Sequence, residues 1–307
     1  MCNSKHLADI EIMAALAGWS LGLWGIISGS QAILQYLYFF AWYPYLLFLD
    51  GLQGRLTGAS WLGERPRELL RLGGWSVTVW LGFEAANLVL RNWGYIGVVP
   101  LGWVRWAGYA LAFATVLPGV LLTAAVLDAL GAFAGVTAQP RRLGPWQPLS
   151  LMVGVALLVL PLVYPGWAFP LIWGAFFFLL DPFCELLGGE SLIASFAAGE
   201  RRRHLCLLTA GLISGVWWEA WNWFAVTKWV YTLPVLNFGR IFEMPFLGYL
   251  GFPPFALECA VMYNFLKALD QRVLTTSRRR RFSYVLQLAF WIAMFAAMDA
   301  WTVISYQ

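Results

Sequence analysis

Charge is scarce in this chain. Of its 307 residues only 12% are Asp, Glu, Lys or Arg, against 61% hydrophobic. A soluble domain usually carries about twice that charged fraction, and no polar stretch is long enough to form a separate soluble domain. Histidine is nearly absent: His6 and His204 are the only two, too few for the imidazole-rich di-iron sites of membrane desaturases and hydroxylases. Cysteine occurs four times, at 2, 184, 206 and 259, with neither CxxC nor zinc-ligand spacing. The thiols therefore read as small buried apolar residues rather than redox or metal groups. The chain has no HExxH, no P-loop, no GxGxxG and no DDxxD, so no metal or cofactor is implied. A small-residue cleavage site is also missing near the N-terminus, so the first apolar run reads as a retained helix. The net charge of +4 calls for no nucleic-acid partner.

What the chain has is long apolar runs and aromatic rings, 17% of residues including 19 Trp. Trp and Tyr favour the bilayer interface, and a span needs roughly 20 apolar residues. The fold expected is an all-α polytopic membrane bundle of about nine helices, near 10–28, 31–49, 73–92, 103–128, 149–165, 167–183, 205–225, 243–269 and 282–304. Pro44 and Pro170 fall inside the second and sixth. Charge asymmetry agrees with nine. One side collects 16 of the 20 Lys and Arg, including Arg201–Arg203 and Arg278–Arg281; the other holds Arg91, Arg105, Lys228 and Arg240. By the positive-inside rule the N-terminus is cytoplasmic and the C-terminus outside, in the inner membrane of a bacterium, with the Arg runs anchored on anionic headgroups.

The chain repeats itself. Trp42, Leu49, Asp50, Leu56, Gly58 and Ser60 recur as Trp173, Leu180, Asp181, Leu187, Gly189 and Ser191, all at an offset of 131. Glu84-Ala85-x-Asn87 then recurs as Glu219-Ala220-x-Asn222, Trp93-x-Tyr95 as Trp229-x-Tyr231, and Gly108-Tyr109 as Gly248-Tyr249. Apolar segments resemble one another by chance, but Asp, Ser, Glu and Asn in register do not. The division expected is 1–140 and 141–270 as two four-helix repeats, with 271–307 as a last helix. An even number of helices per copy makes the copies parallel, with a seam or cavity between them.

Polar groups inside apolar runs mark the candidate site, because a charge at a span's centre costs about 2.5–3.5 kcal/mol on insertion scales. Glu84 and Asn87 share one helix face, and Glu219 and Asn222 repeat the spacing. Around the second pair lie Trp217, Trp218, Trp221, Trp223 and Trp229, followed by Lys228, Tyr231, Arg240 and Glu243. Counted from residue 243, Glu258 lies roughly 22 Å along its helix. These groups have two readings. They glue helices together, with Glu84 paired to Arg91 or Arg105 and the two Asp as turn formers. Alternatively they form a site in which an acid works beside aromatic faces, which stabilise a cation through their π electrons. The second copy, richer in acids and rings, is the one expected to be active. Asp299 has no assigned role.

The second half resembles the lycopene cyclase domain of integral-membrane carotenoid cyclases. The residues carrying the resemblance are Trp218-Glu219, Trp229-Val230-Tyr231 and Phe242-Glu243-Met244-Pro245-Phe246. That family has a Pro-x-Glu-Glu segment where this chain has Glu and Pro in reverse order and a single acid, and its repeats have three helices. The resemblance implies a non-redox isomerase or cyclase acting on an isoprenoid or carotenoid-like lipid. Glu219 and Glu243 would be the acids and Asn222 and Tyr231 would orient them. Trp218, Trp221, Trp229, Glu258, Lys228, Arg240, Glu84 and Asn87 would bind the substrate. A proton-coupled carrier and a membrane scaffold remain alternatives. Lipids are the expected partners.

Overall fold

The computed structural model describes residues 2–307, and its secondary structure is predominantly helical. The first half runs through α1 (Cys2–Ser28), α2 (Gln31–Gln35), α3 (Leu37–Thr57), α4 (Trp61–Glu64), α5 (Pro66–Leu90), β1 (Trp93–Ile96), α6 (Gly102–Phe113) and α7 (Val116–Ala129). The second half runs through α8 (Gln147–Val163), α9 (Pro165–Ala168), α10 (Ala175–Leu186), α11 (Leu192–Ala197), α12 (Arg202–Phe224), β2 (Lys228–Tyr231), β3 (Arg240–Ile241), β4 (Met244–Pro245) and α13 (Phe252–Arg272). α14 (Ser277–Trp301) follows.

Five helical stretches are long and apolar enough to cross a membrane: Lys5–Ser28, Gly102–Ala129, Pro165–Leu186, Phe246–Arg272 and Ser277–Trp301. Their apolar side chains do not all turn inward. α14 leaves Phe282, Val285, Leu288 and Ile292 exposed, and α1 leaves Met13, Leu16, Trp24 and Ile27 exposed. The shorter α8 does the same with Leu149, Met152, Val155 and Val159. Apolar bands of this extent are rare on soluble proteins and suit a hydrocarbon surround. α3, α5 and α12 carry more polar groups, and five of these face inward: Asp50, Glu84, Asn87, Glu219 and Asn222 are all buried.

Each range read as a helix from sequence coincides largely with helix, with corrections at the breaks. The second range is interrupted at Tyr36, and the fourth at Ala114–Thr115. The sixth is not one helix kinked by Pro170: residues Phe169–Gly174 form a tighter 3-10 turn ahead of α10. The eighth begins at Phe252 rather than 243, because β3, β4 and a 3-10 turn occupy the preceding residues. Glu258 is therefore six residues beyond the helix start, roughly 9 Å.

Polar side chains satisfy the backbone that these breaks release, as apolar surroundings require. Ser76 Oγ donates to the Phe113 carbonyl (2.5 Å) and accepts from Leu117 N–H (2.9 Å), bridging α6 to α7. Glu258 Oε1 accepts the Phe176 N–H at the start of α10 (2.8 Å), where the helix dipole favours an anion.

The loops gather at two ends. At one, Asp270 pairs with Arg71 (2.5 Å) and Arg280 (3.3 Å), and Arg203 pairs with Glu190 (2.8 Å). Asp50 receives the N–H groups of Trp61 and Leu62 (2.7 and 2.8 Å), and Asp181 those of Leu192 and Ile193 (2.7 and 3.0 Å). Both acids are thus turn formers. Ser60 and Ser191 cap the following helices through Gly63 N–H and Ala194 N–H.

At the other end, β1 and β2 pair antiparallel, Trp93 opposite Tyr231 and Tyr95 opposite Trp229. The C-terminal residues lie along the free edge of β1: Tyr95 N–H reaches Thr302 O (2.8 Å) and Ile304 N–H reaches Tyr95 O (2.7 Å). The core continues between the halves. Trp42 lies against Trp218 (ring centroids 5.0 Å apart), and Trp173 stacks on Phe83 (5.2 Å).

Candidate functional site

Beneath the β1–β2 ribbon lies a cavity of about 220 Å³, lined from both halves. The first half supplies Tyr38, Trp80, Trp93, Tyr95, Tyr109 and Phe113, and the second supplies Trp173, Trp218, Trp229, Tyr231, Phe252 and Phe255. Polar groups are few: Glu219, Lys228, Arg105, Gln35, Asn92 and Thr227. The lining reaches Tyr36, which is exposed, and Phe39, which is half-buried.

Glu219 is fully buried on α12. Its Oε1 accepts from Tyr231 Oη (2.7 Å) and from Trp229 Nε1 (3.3 Å). Its Oε2 has no partner. Burial, and then the neighbouring Glu219 carboxyl, push the Tyr231 phenol well above the ordinary tyrosine range, which keeps its proton on and its role that of a donor. Asn222, one turn along α12, sets the strand that carries both donors: Nδ2 donates to Trp229 O (2.9 Å) and Oδ1 accepts from Trp229 N–H (3.0 Å).

The first half repeats this arrangement. Glu84 Oε1 accepts from Trp93 Nε1 (2.9 Å), Trp80 Nε1 (3.0 Å) and the Tyr95 hydroxyl, and its Oε2 is likewise unpartnered. Tyr95 too is held well above the usual tyrosine range by burial and then by Glu84. Asn87 Nδ2 donates to Trp93 O (2.9 Å) and its Oδ1 accepts the N–H groups of Asn92 and Trp93 (2.9 and 3.3 Å).

One substitution separates the halves. Trp80 stands four residues before Glu84, and Gly215 four residues before Glu219. The Trp80 ring covers Glu84 from the cavity side: Trp80 lines the cavity and Glu84 does not. At Gly215 a side chain would collide with the Phe252 ring, and Glu219 lines the cavity.

Several expectations are corrected by these positions. Glu219, Trp218, Trp229, Tyr231 and Lys228 come together on the cavity wall, but Glu243 does not join them. It lies in the β3–β4 turn, paired with Lys228 (2.6 Å) and Arg240 (3.8 Å), because the chain turns there instead of starting a helix. Arg240 sits outside the cavity, bonded to Asn237. Asn222 and Asn87 face the strand backbone and not the cavity. Trp221 stacks with Trp217 on another face of α12 (5.9 Å). Glu258 caps α10, so Glu219, Glu243 and Glu258 share no cavity. Glu84 has no ion pair with Arg91 or Arg105: Arg91 is exposed, and Arg105 bonds Asp299 through Nε (2.7 Å) and Nη2 (2.5 Å). The site is not confined to the second half.

Sequence reasoning missed Gln35, Asn92, Arg105 and Trp173 as lining residues. Trp173 carried a signal, since it is the repeat mate of Trp42; Gln35 was legible only as a lone amide in an apolar run. No protein-family model matches the chain, and neither a curated protein nor a solved structure matches it.

Proposed function

We propose that this chain is an integral membrane protein of nine spans, built as two parallel four-helix repeats with α14 added. In this reading a site at the seam performs acid–base chemistry on the unsaturated end of an isoprenoid or similarly apolar lipid. The repeat reading is supported by contacts that recur at matching positions. Trp42 of one half meets Trp218 of the other, and their mates Trp173 and Phe83 meet in return. The two Trp-x-Tyr elements pair with each other about their central residues. A pseudo-twofold axis along the membrane normal accounts for both. The charge distribution favours a cytoplasmic N-terminus and an outer C-terminus, in a bacterial inner membrane, and the ion pairs at the two ends separate as that topology requires.

Glu219 carries the functional reading. It is a fully buried acid in an aromatic cavity, with one oxygen fixed by two donors and the other unpartnered. Among the described residues no salt bridge reaches it. A carboxylic acid held this way can hand a proton to an alkene, and the facing Trp and Tyr rings can stabilise the cation that results. Glu219 is thus the proton donor, Tyr231 and Trp229 hold it, and Asn222 is a positioning residue. A volume near 220 Å³ is below that of a typical drug-sized pocket, so it takes the end group of a carotenoid-like chain while the rest lies outside. Expression in a lycopene-producing bacterium with chromatography of the pigments tests this. Cyclised or isomerised product is expected from the native chain and none from Glu219→Gln; unchanged lycopene removes the carotenoid version, and full product from Glu219→Gln removes the mechanism.

A second reading, a proton-coupled carrier, draws on one observation. Corresponding helices of both halves are interrupted: α2–α3 and the turn before α10, then α6–α7 and the turn before α13. Paired breaks of this kind mark the binding sites of repeat-built transporters. Proton-dependent flux in proteoliposomes, abolished by Glu219→Gln, favours it over the enzyme.

A further inference from the structure

The roof of the cavity is laced by hydrogen bonds, and its side is not. On the roof, Val226 N–H reaches Leu34 O (3.0 Å), which ties α2 to the segment before β2. Gln35 Nε2 and the Thr227 hydroxyl both donate to Gly97 O (3.0 and 2.7 Å), fastening the same segment to the end of β1. Along the other edge of β1 the chain end is bound as well, Gln307 N–H reaching Val98 O (3.1 Å).

At the side, α3 and α6 are bridged at the inner end of α6, where Tyr38 and Tyr43 donate to the Ala112 and Leu111 carbonyls (3.3 and 3.0 Å). Between that bridge and the roof the lining passes Tyr36, Phe39, Val104 and Gly108. Tyr36 is exposed and the other three are half-buried. No side chain fills the gap at Gly108: among the described residues, a Cβ placed there meets no atom within 4 Å beyond its own helix. The surface around the gap is apolar. Trp103 and Leu111 are exposed on α6, which opens the stretch Gly102–Ala129, long and apolar enough to cross a membrane. A doubled fold would offer a second gap at Gly248, the mate of Gly108. There the buried Met244 side chain occupies the place a Cβ would take.

The gap also sorts what passes it. Arg105, next to Val104, is held by Asp299 and by the Val99 and Pro100 carbonyls. A charged end moving past Phe39, Val104 and Gly108 gives up its water with no partner to replace it, which is costly; an uncharged chain gives up nothing. We infer that the site is entered side-on from the hydrocarbon, through a portal between α3 and α6 at Gly108, and that its ligand is a linear apolar chain entering by an uncharged end. The portal belongs to the first half and Glu219 to the second, so the chain crosses the seam to reach the acid. Its remainder trails between Phe39 and Gly108 into lipid. This deepens the proposed function and rests on it for what happens at Glu219; the route is read without any conversion.

The test is photo-crosslinking of the full chain in lipid nanodiscs, with adducts located by peptide mass spectrometry. The probe is a long n-alkane with a terminal diazirine, dissolved in the lipid. In the native chain adducts are expected at Trp80, Trp173 and Phe255 of the cavity, as well as at the exposed Val285 and Leu288 of α14. Gly108→Trp is expected to cut the cavity adducts, relative to those on α14, by at least about tenfold, or roughly 1.4 kcal/mol of occupancy, and Gly108→Leu to fall between. A short charged diazirine dissolved in the water is expected to leave the cavity unlabelled in every variant. Should Gly108→Trp admit this second probe, and so be misfolded, Gly108→Leu carries the test with the same sign. Cavity adducts undiminished in the Gly108 variants, none in the native chain, or labelling of the native cavity from the water overturns the portal. Equal cavity labelling by the same alkane with a carboxylate at its diazirine end overturns the ligand class. A working portal without pigment conversion sinks the acid–base reading and leaves this one; conversion by a native chain whose cavity labelling ignores Gly108 does the reverse.

Discussion

Asn87 and Asn222 occupy matching positions but hold their strands unequally, which makes their removal a quantitative test of the site's architecture. Asn87→Ala deletes three hydrogen bonds, to Trp93 O, Asn92 N–H and Trp93 N–H, in a region where Asn87 is fully buried and Asn92 and Trp93 nearly so. Asn222→Ala deletes two, both to Trp229, which is only half-buried. A buried polar group left unsatisfied costs about 1–3 kcal/mol, and a solvated one far less. Strand pairing and local water recover part of this. The expected loss is about 3–6 kcal/mol for Asn87→Ala and about 1–3 kcal/mol for Asn222→Ala. With an unfolding entropy of about 2.1 cal/mol/K per residue, roughly 1.5 °C per kcal/mol for 307 residues, Asn87→Ala should lower the melting temperature by at least about 4 °C, clearly more than Asn222→Ala. Asn87→Asp keeps the acceptor for both N–H groups and should fall between the native chain and Asn87→Ala. Intrinsic Trp fluorescence during heating, checked by size exclusion after heating in detergent, reads these shifts. If Asn222→Ala costs as much as Asn87→Ala, or Asn87→Asp is no better than Asn87→Ala, the idea that these amides hold the ribbon by backbone capping is wrong.

Two further outcomes follow from particular contacts. An apolar carbodiimide should modify Glu219 in the native chain, where it lines the cavity, and spare Glu84 behind Trp80; Trp80→Gly should render Glu84 reactive as well. Peptide mass spectrometry reads both sites, and equal labelling of Glu84 in the native chain would sink the shielding argument. Glu258→Gln retains an acceptor for Phe176 N–H and should cost under about 1 kcal/mol, whereas Glu258→Leu leaves that amide unpaired and should cost about 1–3 kcal/mol; thermal unfolding compares the two, and an equal loss would show that capping is not what Glu258 does.

Much of the chain was legible in its sequence, for a simple reason. An apolar run long enough to be a span has few structures open to it, because backbone groups in hydrocarbon must be satisfied within the segment. That is why the helix ranges read from hydropathy largely coincide with helices. Asp50 and Asp181 were legible as turn formers because they fall at the ends of the expected spans, although α3 and α10 run on past them to Thr57 and Leu186. Helix breaks were less legible. Pro170 read as a proline inside a continuous helix, where a 3-10 turn stands instead, and the interruption at Ala114–Thr115 has no Pro or Gly in it and is sustained from a distance, by Ser76 on α5.

The repeated Glu-x-x-Asn and Trp-x-Tyr elements belong to the sequence alone: their spacing is carried by the chain and needs no coordinates to find. Which acids meet a cavity was decided only by the tertiary structure. Glu84 and Glu219 are equivalent in sequence, yet a Trp on one helix and a Gly on its counterpart hide the first and bare the second. Glu243, three residues before the 3-10 turn at Phe246–Gly251, is drawn off to Lys228, and Glu258 to the start of α10. The physical reason is that a buried carboxyl takes whatever donors packing brings within about 3 Å: for Glu258 that is the Phe176 N–H, 82 residues away along the chain, whereas Glu84, Glu219 and Glu243 take donors from residues at most fifteen positions away.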